Sequence, residues 1–269
     1  LANFHNAFAD IYQGRYLAGI AAGMKINEMI ENGTITADQA KMGYVGAFPY
    51  AEVKSGMTSF YLGAKSVCPT VTMDVRYTNS WFDIAKEKEA ATSLINDGCV
   101  VISQHADSEG APRACEENNV PNVAYNISTI PIAPNTALIS SAISWEPYFT
   151  LMIESAMNGE EIPTDYCATL ADGGVILTEL NTACAAEGTQ EAIDAAMEQL
   201  LSGELHVFDT ANFTVGGDTL TSYMADVDTD ADFTPDTEAI SDGYFHESEV
   251  RSAPYFDIII DGINAVVEQ

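Results

Sequence analysis

The sequence predicts an α/β protein built on a parallel sheet with helices on both faces and arranged in two lobes. Short apolar runs rich in β-branched residues alternate with amphipathic stretches, giving the order βαβαβαβ between residues 42 and 125. Each of those four runs ends in a polar or aromatic turn, at Phe48, Trp81, His105 and Asn126. The length, 269 residues at a mean hydropathy near zero, is enough to bury a large core.

The first segment, 8–31, has helical periodicity, with Tyr12, Tyr16, Leu17, Ile20, Ala21, Met24 and Ile30 on one side. Its run of small residues at 18–23 permits close packing on another element, and Tyr12, Arg15 and Tyr16 near its start are candidates to face a cleft. A strand at 42–46 leads through Ala47-Phe48-Pro49-Tyr50 into a helix at 52–65. A strand at 71–77 is followed by Asn79-Ser80-Trp81-Phe82-Asp83 and a helix at 84–96. The central unit has a strand at 99–102, the turn Ser103-Gln104-His105-Ala106-Asp107-Ser108, a helix at 109–118 and a strand at 122–125 ending on Asn126. In parallel order these turns share one edge, outside the carboxyl ends of the strands, where open α/β sheets hold ligands.

Beyond this, a short strand is expected at 137–141, a helix at 145–157, strands at 174–180 and 205–209, and a helix at 190–201 punctuated by Gly188 and Gly203. Gly216-Gly217 marks a turn, 226–242 an acidic loop, and 255–267 a closing amphipathic segment around Ile258-Ile259-Ile260.

Forty acidic against ten basic residues give a formal charge of −30, which repels phosphate backbones and excludes nucleic acid as a natural partner. No apolar run approaches the roughly 18 residues of a membrane span. The first residue is Leu1, so the natural chain is expected to begin upstream. The five cysteines form no CxxC pair or zinc spacing. Cys99 and Cys115 read as buried small hydrophobes, and a Cys167–Cys184 bridge is one open possibility.

His105, Asp107 and Ser108 lie too close in sequence for a nucleophile–base–orienter arrangement, and no GxSxG elbow accompanies them. Asp226, Asp228, Asp230 and Asp232 alternate like a calcium loop, but Ala231 stands where a glycine is needed and Thr237 where a glutamate is. Neither GxGxxG nor GxxxxGK[ST] occurs. What remains is a set of aromatic side chains, Phe48, Trp81 and Trp145, combined with Gln104, His105, Asp107 and Asn126. Aromatic faces cover flat rings and the polar side chains read their edges. Binding without chemistry is the expected activity; no cofactor and no metal is expected.

The segments YQGRYLAGIAAG (12–23), GYVGAFPYAEV (43–53), NSWFDIAKEKEAA (79–91), QHADS (104–108) and YFDIIIDGI (255–263) resemble the basic membrane protein family. These are substrate-binding lipoproteins of ABC importers that include purine-nucleoside receptors, and the resemblance is to the branch with a QH-[TS]-DS turn. It implies a type I periplasmic-binding-protein fold with two Rossmann-like lobes around a hinge, and a purine base, nucleoside or similar heterocycle in the cleft. It also implies that the first strands of the first lobe lie upstream of Leu1. Residues 1–40 and part of 145–269 would then belong to that incomplete lobe, and 41–144 with the rest of 145–269 to the second.

Two positions depart from the family. Asn126 stands where members that grip a ribose commonly have aspartate, and their lysine after the next strand falls near Ser144 or Trp145. An amide is a weaker acceptor for two hydroxyls than a carboxylate, which favours a free base over a nucleoside. Ala106 replaces the usual hydroxyl residue of the turn. The resemblance further implies an ABC permease as partner, an extracytoplasmic location, and membrane contact only through a lipid anchor upstream of Leu1. A nucleoside-acting enzyme with His105 or Asp107 as general base, and a ligand-sensing module of the same fold, are the alternatives.

Overall fold

In the computed structural model, residues 4–228 and 232–265 are described. Strand β1 (Asn6–Ala9) precedes helix α1 (Ile11–Glu31), so the expected helix at 8–31 begins three residues late. Phe8 and Ala9 are drawn into a parallel pairing with β7 (Asp165–Ala168), a strand with no sequence signal of its own. Then come β2 (Lys41–Gly46), α2 (Ala51–Val67), β3 (Thr72–Tyr77), α3 (Ile84–Asn96), β4 (Val101–Gln104), α4 (Gly110–Asn118), β5 (Asn122–Tyr125), β6 (Ala137–Ile143) and α5 (Glu146–Asn158). After β7 follow β8 (Val175–Leu177) and α6 (Thr189–Ser202). Gly188 and Gly203 bracket α6, both in the left-handed region that glycine enters without strain.

Strands β2 to β6 and β8, joined by the late strand β13 (Ile263–Ala265), make a seven-stranded sheet in the order β13-β3-β2-β4-β5-β6-β8. All neighbours are parallel except β8, which runs antiparallel to β6. On β2, Met42 and Tyr44 face one way and pack with Leu17, Ile20, Met57 and Phe60 of α1 and α2. Val45 faces the other way and packs with Ala91, Leu94, Ala111 and Cys115 of α3 and α4. This alternation on a doubly covered sheet is why both faces of the strand read as apolar.

Helix α1, in the segment 1–40 expected to lie in the first lobe, packs along α2 and against β6 of this sheet. The small residues at 18–23 act there: a Cβ on Gly19 would collide with the carbonyl of Phe60, and one on Gly63 with the carbonyl of Tyr16. Glycines at the crossing let the two backbones touch.

Three further expectations are corrected. Residues 205–209 form a turn with only an isolated bridge from Asp209 to Tyr244. Val207 and Phe208 are buried by side-chain packing, Phe208 stacking on Phe256 at 4.4 Å, rather than by a ladder. The closing segment is irregular, not helical, until β13 pairs with β3; residues 266 and 267 lie outside the described residues. All five cysteines are free: Cys167 donates to Asp10 at 3.0 Å, while Cys184 lies beside Pro134 and Asn181. Short strands β9 (Met224–Ala225), β10 (Thr237–Glu238), β11 (Ile240–Ser241) and β12 (Tyr244–Phe245) form two small antiparallel pairs in and beside the acidic loop. Asp230 and Ala231 of the calcium-like pattern lie outside the described residues.

Candidate functional site

The register of the sheet sets its carboxyl edge. Gly46 of β2 lies opposite Tyr77 of β3, Val45 opposite Gln104 of β4, and Tyr125 of β5 opposite Ser141 of β6. The turns after these strands therefore emerge side by side, and backbone bonds tie them together. His105 donates to the carbonyl of Val45 at 2.8 Å, Asp107 to that of Trp81 at 2.8 Å, and Asn126 to that of Ser141 at 2.9 Å.

The turn at 104–108 is held from within. The Gln104 amide donates to the carbonyls of Ala106 at 2.7 Å and Ser108 at 2.9 Å. From α3, the buried carboxylate of Glu87 accepts from the amides of Ser108 at 3.1 Å and Asp83 at 3.0 Å, although burial pushes its pKa up. Asn126 adopts a left-handed φ of 68°, which asparagine tolerates, and its side chain donates to Asp107 Oδ1 at 3.1 Å.

A cavity of about 350 Å³ opens at this edge. Trp81, Asp107, Asn126 and Trp145 line it, four of the seven residues singled out in the sequence. The other three stand behind them. Phe48 stacks on Tyr50 at 5.0 Å and leans on Trp81 at 5.6 Å. Gln104 is buried in the turn it braces. His105 is fully buried, its ring against Gly56 of α2, and burial first, then the charge of Arg15, drives its pKa down to about 4. The imidazole is therefore neutral near pH 7. Its Nδ1 lies 3.3 Å from the Tyr44 hydroxyl, and Nε2 faces Glu52 at 3.8 Å.

Glu52 and Tyr125 also line the cavity, as do Phe8, Ala7 and Ile143. Glu52 opens α2, the helix that leaves the same edge as Phe48, so edge position was the signal that would have found it. Its carboxyl is held below the usual range, against the pull of burial, by the polar edge of the His105 ring 3.8 Å away and by the charge of Arg15. Phe8 and Ala7 reach the cavity only because β1 is a strand. Beneath the floor, the buried Arg15 donates from Nη1 to the Gln104 carbonyl at 2.6 Å and stacks its guanidinium 3.8 Å from the centre of the Tyr125 ring. Asp107, open to the cavity, has its pKa raised by desolvation, with Arg15 pulling it back. Among the described residues no group of three or more His, Cys, Asp or Glu side chains is arranged to hold a metal ion.

The sheet, its helices and an edge cavity make up an α/β solute-binding fold of the type I periplasmic-binding-protein kind. A solute-binding protein of an ABC transporter system from Aeropyrum pernix K1 has this fold, with a TM-score of 0.62 over 75% of this chain and 65% of its own at 17% identity. Another, from Conexibacter woesei DSM 14684, gives 0.59 over 76% and 65% at 24% identity. The profile of the Bmp family, ABC transporter substrate-binding protein PnrA-like, matches residues 3–207, and the chain belongs to that family. A Haloferax volcanii protein, TsgA13, whose name assigns it provisionally to ABC-transporter glucose binding, is 36% identical over 78% of this chain and 51% of its own length. A purine-binding protein of Brucella abortus is 34% identical over 56% of this chain and 40% of its own. The chain spans about half the length of the curated relatives it matches.

Proposed function

We propose that the chain is the ligand-holding part of an extracytoplasmic solute receptor of an ABC importer, and that its solute is a purine base or nucleoside or a similar heterocycle. One observation carries this reading: two indole side chains, Trp81 and Trp145, and the hydrogen-bonded pair Asp107–Asn126 face the same cavity. Indoles cover the faces of a flat ring, and the polar pair reads its edge. A volume of about 350 Å³ suits a base-sized molecule. The name of the Brucella relative supports the purine class; that of the Haloferax relative supports a second reading, glucose, since indole faces also cover sugar rings.

In this reading β1 and β7, paired with each other and outside the seven-stranded sheet, are the crossings toward the incomplete first lobe. Ala7 and Phe8 of β1 border the cavity, so hinge motion of that lobe would close it over the solute. Phe48 supports Trp81, and Gln104 and His105 shape the turn that presents Asp107. The permease is the partner, and a lipid anchor upstream of Leu1 is the membrane attachment; no helix among the described residues is long and apolar enough to cross a membrane.

Calorimetry with adenine, adenosine and D-glucose tests the reading. Micromolar or tighter binding of a purine compound supports it, and binding of glucose alone replaces it. Mass spectrometry of the native purified protein would give the mass of any co-purified solute. Incubation with labelled nucleosides separates receptor from enzyme: a product from nucleoside cleavage or deamination would overturn the receptor assignment.

A further inference from the structure

The cavity joins two carboxylates from distant parts of the chain. Asp107 comes from the turn after β4 and Glu52 from the first turn of α2, and both face the same space. Among the described residues no lysine or arginine lines that space. The nearby cation, Arg15, is buried beneath the Tyr125 ring and does not line the space: Nη1 donates to the carbonyl of Gln104, Nε and Nη2 have no hydrogen-bond partner among the described residues, and its charge pulls on Asp107 and Glu52 from below. The histidine behind Glu52 is fully enclosed, and any proton on its outer nitrogen faces the carboxylate rather than a ligand. Of the polar side chains at the rim, the Asn126 amide already donates to Asp107. The lining therefore carries two carboxylates and no cationic side chain, and its remaining donors, the indoles of Trp81 and Trp145 and the Tyr125 hydroxyl, are neutral.

Resting on the receptor reading above, we infer that Glu52 is a ligand-contacting residue, and that with Asp107 it restricts the site to uncharged or cationic solutes carrying N–H or O–H donors. Two carboxylates facing one ligand need donors from it, one each at least, because a carboxylate accepts and cannot donate. A phosphorylated solute would bring a further negative charge against two carboxylates in a partly desolvated space, with no cationic side chain lining it to pair with the phosphate, where like charges repel strongly. The site thus separates a nucleoside from its nucleotide, or a sugar from its phosphate ester, at the binding step. Asn126 fits this division of labour: its amide fixes one oxygen of Asp107, leaving the other, Oδ2, for the solute.

The experiment is calorimetric titration of the purified chain with four probes in two pairs, adenosine and adenosine 5′-monophosphate, glucose and glucose 6-phosphate. It is repeated on Glu52→Gln and Asp107→Asn, with urea unfolding of each variant as a control for folding. The expected result is that the neutral member of one pair binds and its phosphate ester binds at least a hundredfold more weakly. Glu52→Gln is expected to weaken the neutral probe at least tenfold while narrowing the gap to its ester. If Glu52→Gln fails to fold, Glu52→Asp, which keeps the charge and withdraws the oxygens, is expected to give the same weakening with the gap retained. An ester that binds within threefold of its parent overturns the inference and leaves the receptor reading standing, as does a folded Glu52→Gln with unchanged affinity. Binding of the glucose pair alone overturns the purine reading and still decides the inference by the same ratio. Failure of all four probes overturns both.

Discussion

The Arg15 guanidinium lies 3.8 Å from the centre of the Tyr125 ring and donates to the carbonyl at the end of the neighbouring strand, Gln104, at 2.6 Å. One side chain from α1 thus joins the ends of β4 and β5 beneath the cavity. A buried hydrogen bond from a charged donor contributes about 1.5–3 kcal/mol, and a desolvated cation–π contact about 2 kcal/mol. Desolvation of the guanidinium offsets part of that sum. Arg15→Met is expected to destabilise the chain by about 2–4 kcal/mol in urea unfolding. Arg15→Lys should restore less than half of the loss, because an ammonium cannot both stack and donate in a plane. A methionine variant as stable as the parent would remove Arg15 from this role.

Trp81 and Asp107 stand on adjoining turns, tied by the Asp107 amide and the Trp81 carbonyl at 2.8 Å. Replacing either with alanine removes a ring face or an acceptor while leaving that backbone bond possible. Each is expected to weaken purine binding more than tenfold, about 1.4 kcal/mol, by calorimetry. Full affinity in both variants would move the site away from this edge.

The crossing of α1 and α2 gives a stability prediction that runs against helix propensity. Glycine to alanine within a helix is ordinarily favourable by about 1 kcal/mol. A Cβ on Gly63 would nevertheless press into the backbone carbonyl of Tyr16, which cannot swing aside as a side chain would. Gly63→Ala should therefore destabilise the chain by about 1–3 kcal/mol, read as a lower urea midpoint. Gly33, exposed after α1 and with open space around its missing Cβ, is unsuitable as a control because its φ is 77°.

Glu247 is buried and accepts from the amides of Tyr255 at 3.2 Å and Phe256 at 2.9 Å. Burial outweighs those bonds and raises its pKa from 4.5 to about 8. The folded carboxyl then holds its proton where the unfolded one has lost it. Its contribution to stability is complete below 4.5 and is lost as pH rises through about 8. His105 works in the opposite sense: lowered from 6.5 to about 4, it removes stability only as pH falls below 6.5. Between 6.5 and 8 the Glu247 slope is thus free of His105. Melting temperature is expected to fall across that window in the parent and to flatten in Glu247→Gln. Parallel slopes for the two proteins would refute the assignment.

The main sheet was legible because its signals are local. Short apolar runs such as 42–46 and 122–125, each closed by a polar or aromatic turn, specify strand, direction and edge without knowledge of distant residues. The helix at 84–96 was legible from its amphipathic pattern, and the structure adds that the Asp83 carboxylate caps it by accepting from the amides of Ala85 at 3.1 Å and Lys86 at 3.0 Å. β1 and β7 were not legible, since four residues become a strand only when a partner 159 positions away lies alongside. In the site, Trp81, Asp107 and Asn126 follow from edge position, whereas Trp145, outside the four strand-end turns, was singled out as an aromatic side chain. Gln104 and His105 come from the same turn, yet their side chains point inward. Facing is set by the turn's internal bonds and by the hollow that Gly56 leaves for the imidazole.

By itself the sequence determined a parallel α/β sheet, the edge at which its turns gather, and an acidic surface, because apolar runs, turn chemistry and charge are properties of neighbours along the chain. Only the tertiary structure decided that Glu52 and Tyr125 reach the cavity, that Arg15 lies beneath it, and that His105 is sealed and neutral. Those outcomes depend on how closely α1 and α2 approach the sheet, a distance set by packing between elements far apart in sequence.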